Sequence, residues 1–332
     1  MKIICREHIY EKIVAPSCHA STVLKLKDGT LLAAWFAGEK EGTPDVTVWY
    51  SRKVGGAWEA PRPAVPNVGV QCWNPVLFQW NENTVWLFYK FGASIRNWKT
   101  MVISSTDSGK TWSEPRELIE GEASGGRGPV KNKAIRTKSG KILAPSSTEQ
   151  GPWRCFIDVF DGQSWSKKDI PAPTQPGPGI NLEIEPLWSM PAGVNMIQPT
   201  LWEYPDGHIH ALMRTNQSYI YRSDSFDDGE TWSTAYPTNM PNNNSGLDCV
   251  RANDGNVYLV CNPVAAQWGD RTPLTLFVSK DNGANFEKLI DLETEKGEYS
   301  YPAIISEGNR LYITYTWKRE RIAFAEIDCD DA

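Results

Sequence analysis

Apolar and polar positions alternate along this chain in short runs, and the runs recur. Six of them follow a turn signal: DGTLLAAWF near Gly29, ENTVWLFYK near Asn83, SGKILAPSS near Gly140, DGHIHALMR near Gly207, DGNVYLVCN near Gly255 and EGNRLYITYTW near Gly308. Their gaps are 54, 57, 67, 48 and 53 residues. An Asp-Gly or similar pair ahead of alternating apolar residues marks a hairpin. Another apolar strand precedes each one: CHASTVLKL, NPVLFQW, VKNKAIRT, IQPTLWEY, GLDCVRA and YSYPAIIS. A third feature interleaves with these, a β-type run ending in a glycine turn closed by an aromatic. It ends at Trp58, Trp112, Trp165, Trp232 and Phe286. Three copies read Ser-x-Asp-x-Gly-x-(Thr/Asn)-aromatic, and those ending at Trp58 and Trp165 are degenerate.

One period therefore contains four antiparallel strands in about 54 residues, which is a propeller blade. The pattern predicts an all-β, six-bladed β-propeller. Its last blade is completed by an N-terminal strand within KIICREHIYEKIV, which closes the ring without a long exposed edge. A single domain over residues 1–332 is expected, since propellers often exceed the usual domain length. The Pro-rich stretch DIPAPTQPGPGINLEIEP, residues 169–186, reads as a surface excursion.

Composition agrees with short strands and tight turns: 15 Trp, 26 Gly and 23 Pro. With 34 Lys and Arg against 40 Asp and Glu, the net charge is −6. That points away from nucleic acid and anionic membrane as partners, because both reward clustered cations. No apolar run approaches the roughly 18 residues of a membrane helix. The first residues lack the apolar stretch of a secretory signal, and the seven Cys form no CxxC pair. Reduced thiols and a cytoplasmic location are the expectation. No P-loop, GxGxxG or GxSxG occurs, so no cofactor is expected. His208 and His210 share a strand face without a third ligand at a recognisable spacing, so no metal is expected either.

The Ser-x-Asp-x-Gly-x-Thr-Trp turn resembles the Asp-box of the sialidase (neuraminidase) superfamily, and the resemblance covers essentially the whole chain. It implies a propeller with its site on the axis, opposite the boxes. Three Arg would clamp a substrate carboxylate, a Tyr backed by a Glu would be the nucleophile, and an Asp the acid/base. The box itself implies no activity, since non-catalytic propellers also carry it. On this resemblance EYSYPA makes Tyr299 the nucleophile, with Tyr301 beside it. GDRTPLTLFVSKDNG supplies Arg271, 28 residues earlier, HIHALMRTN supplies Arg214, and GEKEGTPDVTVWYSR supplies Asp45. The family's first Arg falls at His19 in SCHAST, and its Glu falls at Gln198, 16 residues before Arg214.

The residue chemistry fits an anionic sugar. Guanidinium forks suit planar anions. A phenol avoids the repulsion that a carboxylate nucleophile meets beside a substrate carboxylate. Asp45 can protonate the leaving oxygen only if its pKa rises, and the same residue in GTPDV suits a loop cap. His19 can exchange a proton near neutral pH. Asn74, Gln198, Asp248, Asn243, Lys131 and Lys133 add unusual polarity to the first strands of the blades, as a pocket lining would. Three activities follow as expectations: an exo-glycosidase of sialidase type, a uronate lyase using His19 and Tyr299, and a non-catalytic glycan-binding propeller. The Asp-box carboxylates Asp107, Asp227 and Asp281 are expected to brace turns, with the aromatic packed between sheets.

Overall fold

The computed structural model describes residues 1–175, 177 and 193–329. Most of the Pro-rich excursion expected over 169–186 lies outside the described residues. The strands form six antiparallel sheets, the blades of a β-propeller, and among the described residues there is no helix. The fourth blade shows the plan, with Met196–Glu203, Ile209–Thr215, Tyr219–Ser225 and Tyr236–Pro241 side by side in chain order. The first blade begins at Ser17–Lys25 and carries an extra short strand, Arg62–Pro63. In the sixth, Tyr299–Glu307, Arg310–Trp317 and Arg321–Asp328 are completed by the N-terminal strand Lys2–His8, which pairs with Arg321–Asp328. The closing strand inferred from KIICREHIYEKIV is thus present.

The chain divides into two compact units. One is Met1–Lys133 with Tyr301–Ala332, and the other is Ala134–Ser300. In each, the second strand of a blade is apolar on both faces because sheets cover it on both sides. All residues of Leu31–Gly38 and of Ile209–Thr215 are buried. Alternate side chains go opposite ways. In the first unit Ala33 and Trp35 join Tyr312 and Phe324 of the sixth blade, while Leu32 and Ala34 join Leu77 and Leu87 of the second. In the other unit Ala211 and Met213 pack with Leu143 and Ile157, and Leu212 packs with Val257 and Leu259. Burying one such side chain contributes about 1.5–3 kcal/mol, so this two-sided contact is the main stabiliser of each unit.

The glycine turns lock neighbouring blades. In the second blade, Asp107 Oδ1 accepts the Thr111 and Lys110 amides at 2.9 and 3.1 Å, and Oδ2 accepts the Thr111 hydroxyl at 2.6 Å. Ser105 Oγ accepts the Gly109 amide at 2.9 Å. The same set recurs around Asp227 and Asp281. The glycine has φ of +76° at Gly109, +82° at Gly229 and +78° at Gly283, and each presses on the preceding blade. A Cβ there would sit 2.7 Å from Leu32, 2.6 Å from Leu143 and 2.9 Å from Trp202, respectively. The residue between Asp and Gly reaches across as well: Ser108 donates to Asp28, Asp228 accepts from Ser139, and Asn282 accepts from Trp202 Nε1. Trp112 meets Tyr50 of the first blade edge-on at 5.7 Å. The degenerate copies keep only the turn, made by Gly55–Gly56 in one and by Asp161 accepting the Gln163 and Ser164 amides in the other.

Two outcomes follow. Gly229→Ala combines a positive φ with overlap on Leu143, and should lower stability by about 1–3 kcal/mol in urea unfolding. The second concerns acid. Burial alone would raise the Asp107 carboxyl, but the Thr111, Ser105 and Lys110 bonds outweigh it and hold it at about 2. The Asn285 amide leads the groups that hold Asp281 at about 2. A folded pKa below the unfolded value of about 3.9 means stability present above pH 4 and lost as pH falls toward 2. Unfolding monitored between those values should show that loss, and Asp281→Asn should make it shallower.

Candidate functional site

Each blade carries one non-glycine residue with positive φ in or just before its first strand. These are Ala20 (φ 56°), Asn74 (45°), Lys131 (67°), Gln198 (55°), Asn244 (56°) and Tyr301 (51°). The ladder slips where they fall, between His19 and Thr22, Trp73 and Val76, and Ile197 and Thr200. Such a bulge re-aims consecutive side chains. A left-handed non-glycine residue costs about 1–2 kcal/mol, and strain of this kind gathers at functional sites. The sequence signal is a proline inside an apolar strand, as in Asn74-Pro75, Gln198-Pro199 and Tyr301-Pro302.

In the unit Ala134–Ser300, the bulge at Gln198 sets its amide on Arg214. Ile197 pairs with Arg214 across the hairpin, and Arg214 Nη1 donates to Gln198 Oε1 at 3.2 Å. Arg214 Nε donates to Asn244 Oδ1 at 3.0 Å. Both of these acceptors are neutral amide oxygens, and they orient the guanidinium. The guanidinium carbon also lies 5.7 Å from the Trp153 ring and 5.6 Å from the Trp268 ring. The two indoles stand nearly perpendicular, 6.3 Å apart. Arg214 is 2% exposed and Trp268 42%.

Arg271 is held differently. Its Nη1 donates to Glu298 Oε1 at 2.7 Å and to Ser300 Oγ at 3.3 Å, and its carbonyl accepts the Tyr299 amide at 3.0 Å. Asn262 Nδ2 donates to the Tyr299 carbonyl at 2.9 Å. The Tyr299 ring is fully enclosed. A Cβ on Gly297 would lie 3.1 Å from its hydroxyl, so Gly297 leaves room for the phenol. Asp248 is engaged structurally: Oδ1 accepts the Thr200 hydroxyl at 2.6 Å and the Cys249 amide at 3.0 Å.

In the other unit, the His19 ring lies 4.1 Å from the Tyr301 ring, and its Nδ1 is 2.9 Å from Thr316 Oγ1. His19 is buried and Tyr301 half-buried. Lys131 Nζ donates to Asn132 Oδ1 and to the Pro302 carbonyl at 2.8 and 2.5 Å. Asn74 is buried at its bulge. Asp45 is exposed; its Oδ1 accepts the Thr43 hydroxyl at 2.5 Å and its Oδ2 the Glu39 amide at 2.6 Å. The Thr43 hydroxyl, then that amide, hold its carboxyl below the usual value. In this state Asp45 braces a turn as an ionised acceptor, the opposite of the raised pKa an acid needs. Arg319 pairs with Glu41 at 2.6 Å. Among the described residues, no group of three His, Cys, Asp or Glu side chains is placed to hold a metal.

The sequence profile of the BNR repeat-like domain family matches residues 29–313. The chain belongs to that family. As a BNR-repeat propeller it is also similar in fold to solved structures. A Dyadobacter fermentans protein of unknown function superposes with a TM-score of 0.76 at 18% identity, over 98% of both chains. The Trypanosoma rangeli sialidase in complex with the inhibitor DANA gives 0.73 at 14% identity, over 97% of this chain and 59% of that one. The NanB sialidase of Streptococcus pneumoniae gives 0.71 at 13%, over 97% and 70%. No curated protein matches the sequence. At such identities these likenesses show the fold, a β-propeller.

Sequence reasoning on this BNR-repeat chain missed Trp153, Trp268, Asn244 and Glu298. The Trp pair carried no motif, and Asn244 lies in a run of polar residues that reads as a loop. Glu298 offers a direct measurement. Its ion pair with Arg271 is partly exposed, so Glu298→Gln should change stability by no more than about 1 kcal/mol. It should leave more positive charge at Arg271, seen as a larger rise in melting temperature on adding sulfate than the parent shows.

Proposed function

We propose that this propeller binds a glycan through an anionic sugar held by Arg214 and Arg271, and cleaves that sugar as a glycosidase of sialidase type. The observation that carries the reading is Arg214, a guanidinium buried to 2%, set beside the corner formed by the Trp153 and Trp268 rings and oriented by two amides. A charge so placed suits a carboxylate or sulfate, with an indole for the apolar side of a sugar ring. Tyr299 is the nucleophile, its backbone fixed by Arg271 and Asn262. Asp45 is the acid/base, and covering by substrate must lift its pKa from the lowered value of the free protein. Gln198 cannot take a proton as the family's Glu would, so Tyr299 attacks with less help.

The second reading, a uronate lyase, is expected from the sequence to use His19 with Tyr299; the phenol found against His19 is Tyr301, and that contact supports the pair His19 and Tyr301 in its place. In a uronate these two groups would remove the proton beside the carboxylate and protonate the departing oxygen, leaving a C=C bond conjugated to the carboxylate.

The test is turnover of 4-methylumbelliferyl N-acetylneuraminate and glucuronide, alongside uronate-containing oligosaccharides. The expected result is a saturated released sugar. Tyr299→Phe should reduce the rate at least a thousandfold, Asp45→Asn by about 10²–10⁴, and Arg214→Ala should raise KM. Ultraviolet absorbance of an unsaturated product, lost in His19→Ala and kept in Tyr299→Phe, would establish elimination instead. Binding without turnover of any substrate would leave a glycan-binding propeller.

A further inference from the structure

The Thr43 hydroxyl stands between two acceptors. Its Oγ1 lies 2.5 Å from Asp45 Oδ1 and 2.6 Å from the Lys40 carbonyl oxygen. A hydroxyl has one proton, so it donates to one of them at a time. The Lys40 amide donates to the same Oγ1 at 3.3 Å, which uses one lone pair and leaves the other. The Lys40 carbonyl does not depend on the hydroxyl, because it also accepts the Thr43 amide at 3.0 Å. Asp45 Oδ2 accepts the Glu39 amide at 2.6 Å whichever way the hydroxyl points. Two arrangements therefore satisfy every group. With Asp45 ionised, Thr43 donates to Oδ1. With Asp45 protonated, Thr43 donates to the Lys40 carbonyl and its second lone pair accepts the Asp45 O–H.

The surroundings leave this choice to the hydroxyl. Asp45 is exposed and open to a substrate, and Thr43 is half-buried beside it. Glu39 and Lys40 lie exposed on the same loop, Glu41 is paired with Arg319 of the sixth blade at 2.6 Å, and the neutral Asn67 amide holds the Pro44 carbonyl at 3.0 Å. We propose that Thr43 is a positioning residue for Asp45, its hydroxyl turning between the carboxylate and the Lys40 carbonyl so that Asp45 serves first as acid and then as base. The inference rests on the reading of Asp45 as the acid/base. In the first step Asp45 gives its proton to the departing glycosidic oxygen, which keeps the electron pair of the broken C–O bond. The Thr43 hydroxyl then turns from the Lys40 carbonyl to the new carboxylate. In the second step the carboxylate takes a proton from the attacking water, and the hydroxyl turns back. A hydrogen bond to a charged group is stronger than one to a neutral group, so Thr43 stabilises Asp45 where the carboxylate forms.

The experiment measures kcat, KM and their pH profiles on the full chain with N-acetylneuraminyllactose and a glucuronate disaccharide, together with melting temperatures. Asp45 acts as an acid only when protonated, so kcat/KM declines as pH rises past its titration. Thr43→Val removes a bond that favours the charged form, and that decline should move to higher pH. The same variant should lower kcat about tenfold, on the order of one hydrogen bond, at unchanged KM. Thr43→Ser should restore both. If Thr43→Val keeps the parent's kcat and pH profile while Asp45→Asn loses turnover, the positioning role is overturned and Asp45 stands as the acid/base. If Thr43→Val lowers kcat and melting temperature without moving the profile, or Thr43→Ser fails to restore it, Thr43 only shapes the loop and the inference is overturned. If Asp45→Asn turns over as fast as the parent, or neither substrate is turned over, the inference falls together with the reading beneath it.

Discussion

Gly109 lies against Leu32, Gly229 against Leu143 and Gly283 against Trp202, with no room for a Cβ in between. That contact explains the shape of the repeated turn. The glycine needs a positive φ to turn the chain and a bare Cα to approach the neighbouring hairpin. The Asp that precedes it supplies acceptors for amides that the tight turn leaves without strand partners. The aromatic that closes the turn is then carried to the blade interface, as Trp112 is carried to Tyr50. Apolar packing on both faces of each second strand depends on the blades meeting this closely, so the box sets a spacing that the core then exploits.

The strain lies elsewhere. Six residues with positive φ stand in or just before the first strands, once per blade. In three blades the ladder slips at that residue, and the bulge redirects consecutive side chains. The consequence is clearest at Gln198 and Asn244, whose amides converge on Arg214 from two blades. Rigid strands on either side hold that arrangement, which favours recognition of a ligand with little reorganisation.

At Gln198 the group that meets Arg214 Nη1 is an amide oxygen, an acceptor that carries no charge. His19 is a buried imidazole set between the Tyr301 ring and the Thr316 hydroxyl. Tyr299 is enclosed while Tyr301 lies half-buried against His19. The two phenols on one strand are therefore suited to different work.

The repeat of turn, alternating strand and glycine box, with its period near 54 residues, determined six blades, their hairpins and the closing N-terminal strand. Those features are local: a turn dipeptide and a two-residue alternation declare themselves in any window of ten residues. Gln198 and Arg214 were picked out by a resemblance in spacing, and their contact came only from the structure. Tertiary structure alone decided the rest. Trp153, Arg214, Asn244 and Trp268 meet although their segments are far apart in the chain. Whether Asp45 acts as acid or turn brace depends on the Thr43 hydroxyl and Glu39 amide around it, and whether a tyrosine is open or enclosed depends on neighbours such as Gly297 and His19. Periodicity records which face a residue takes. It does not record what stands opposite, and the charge state and reach of a functional group are set there.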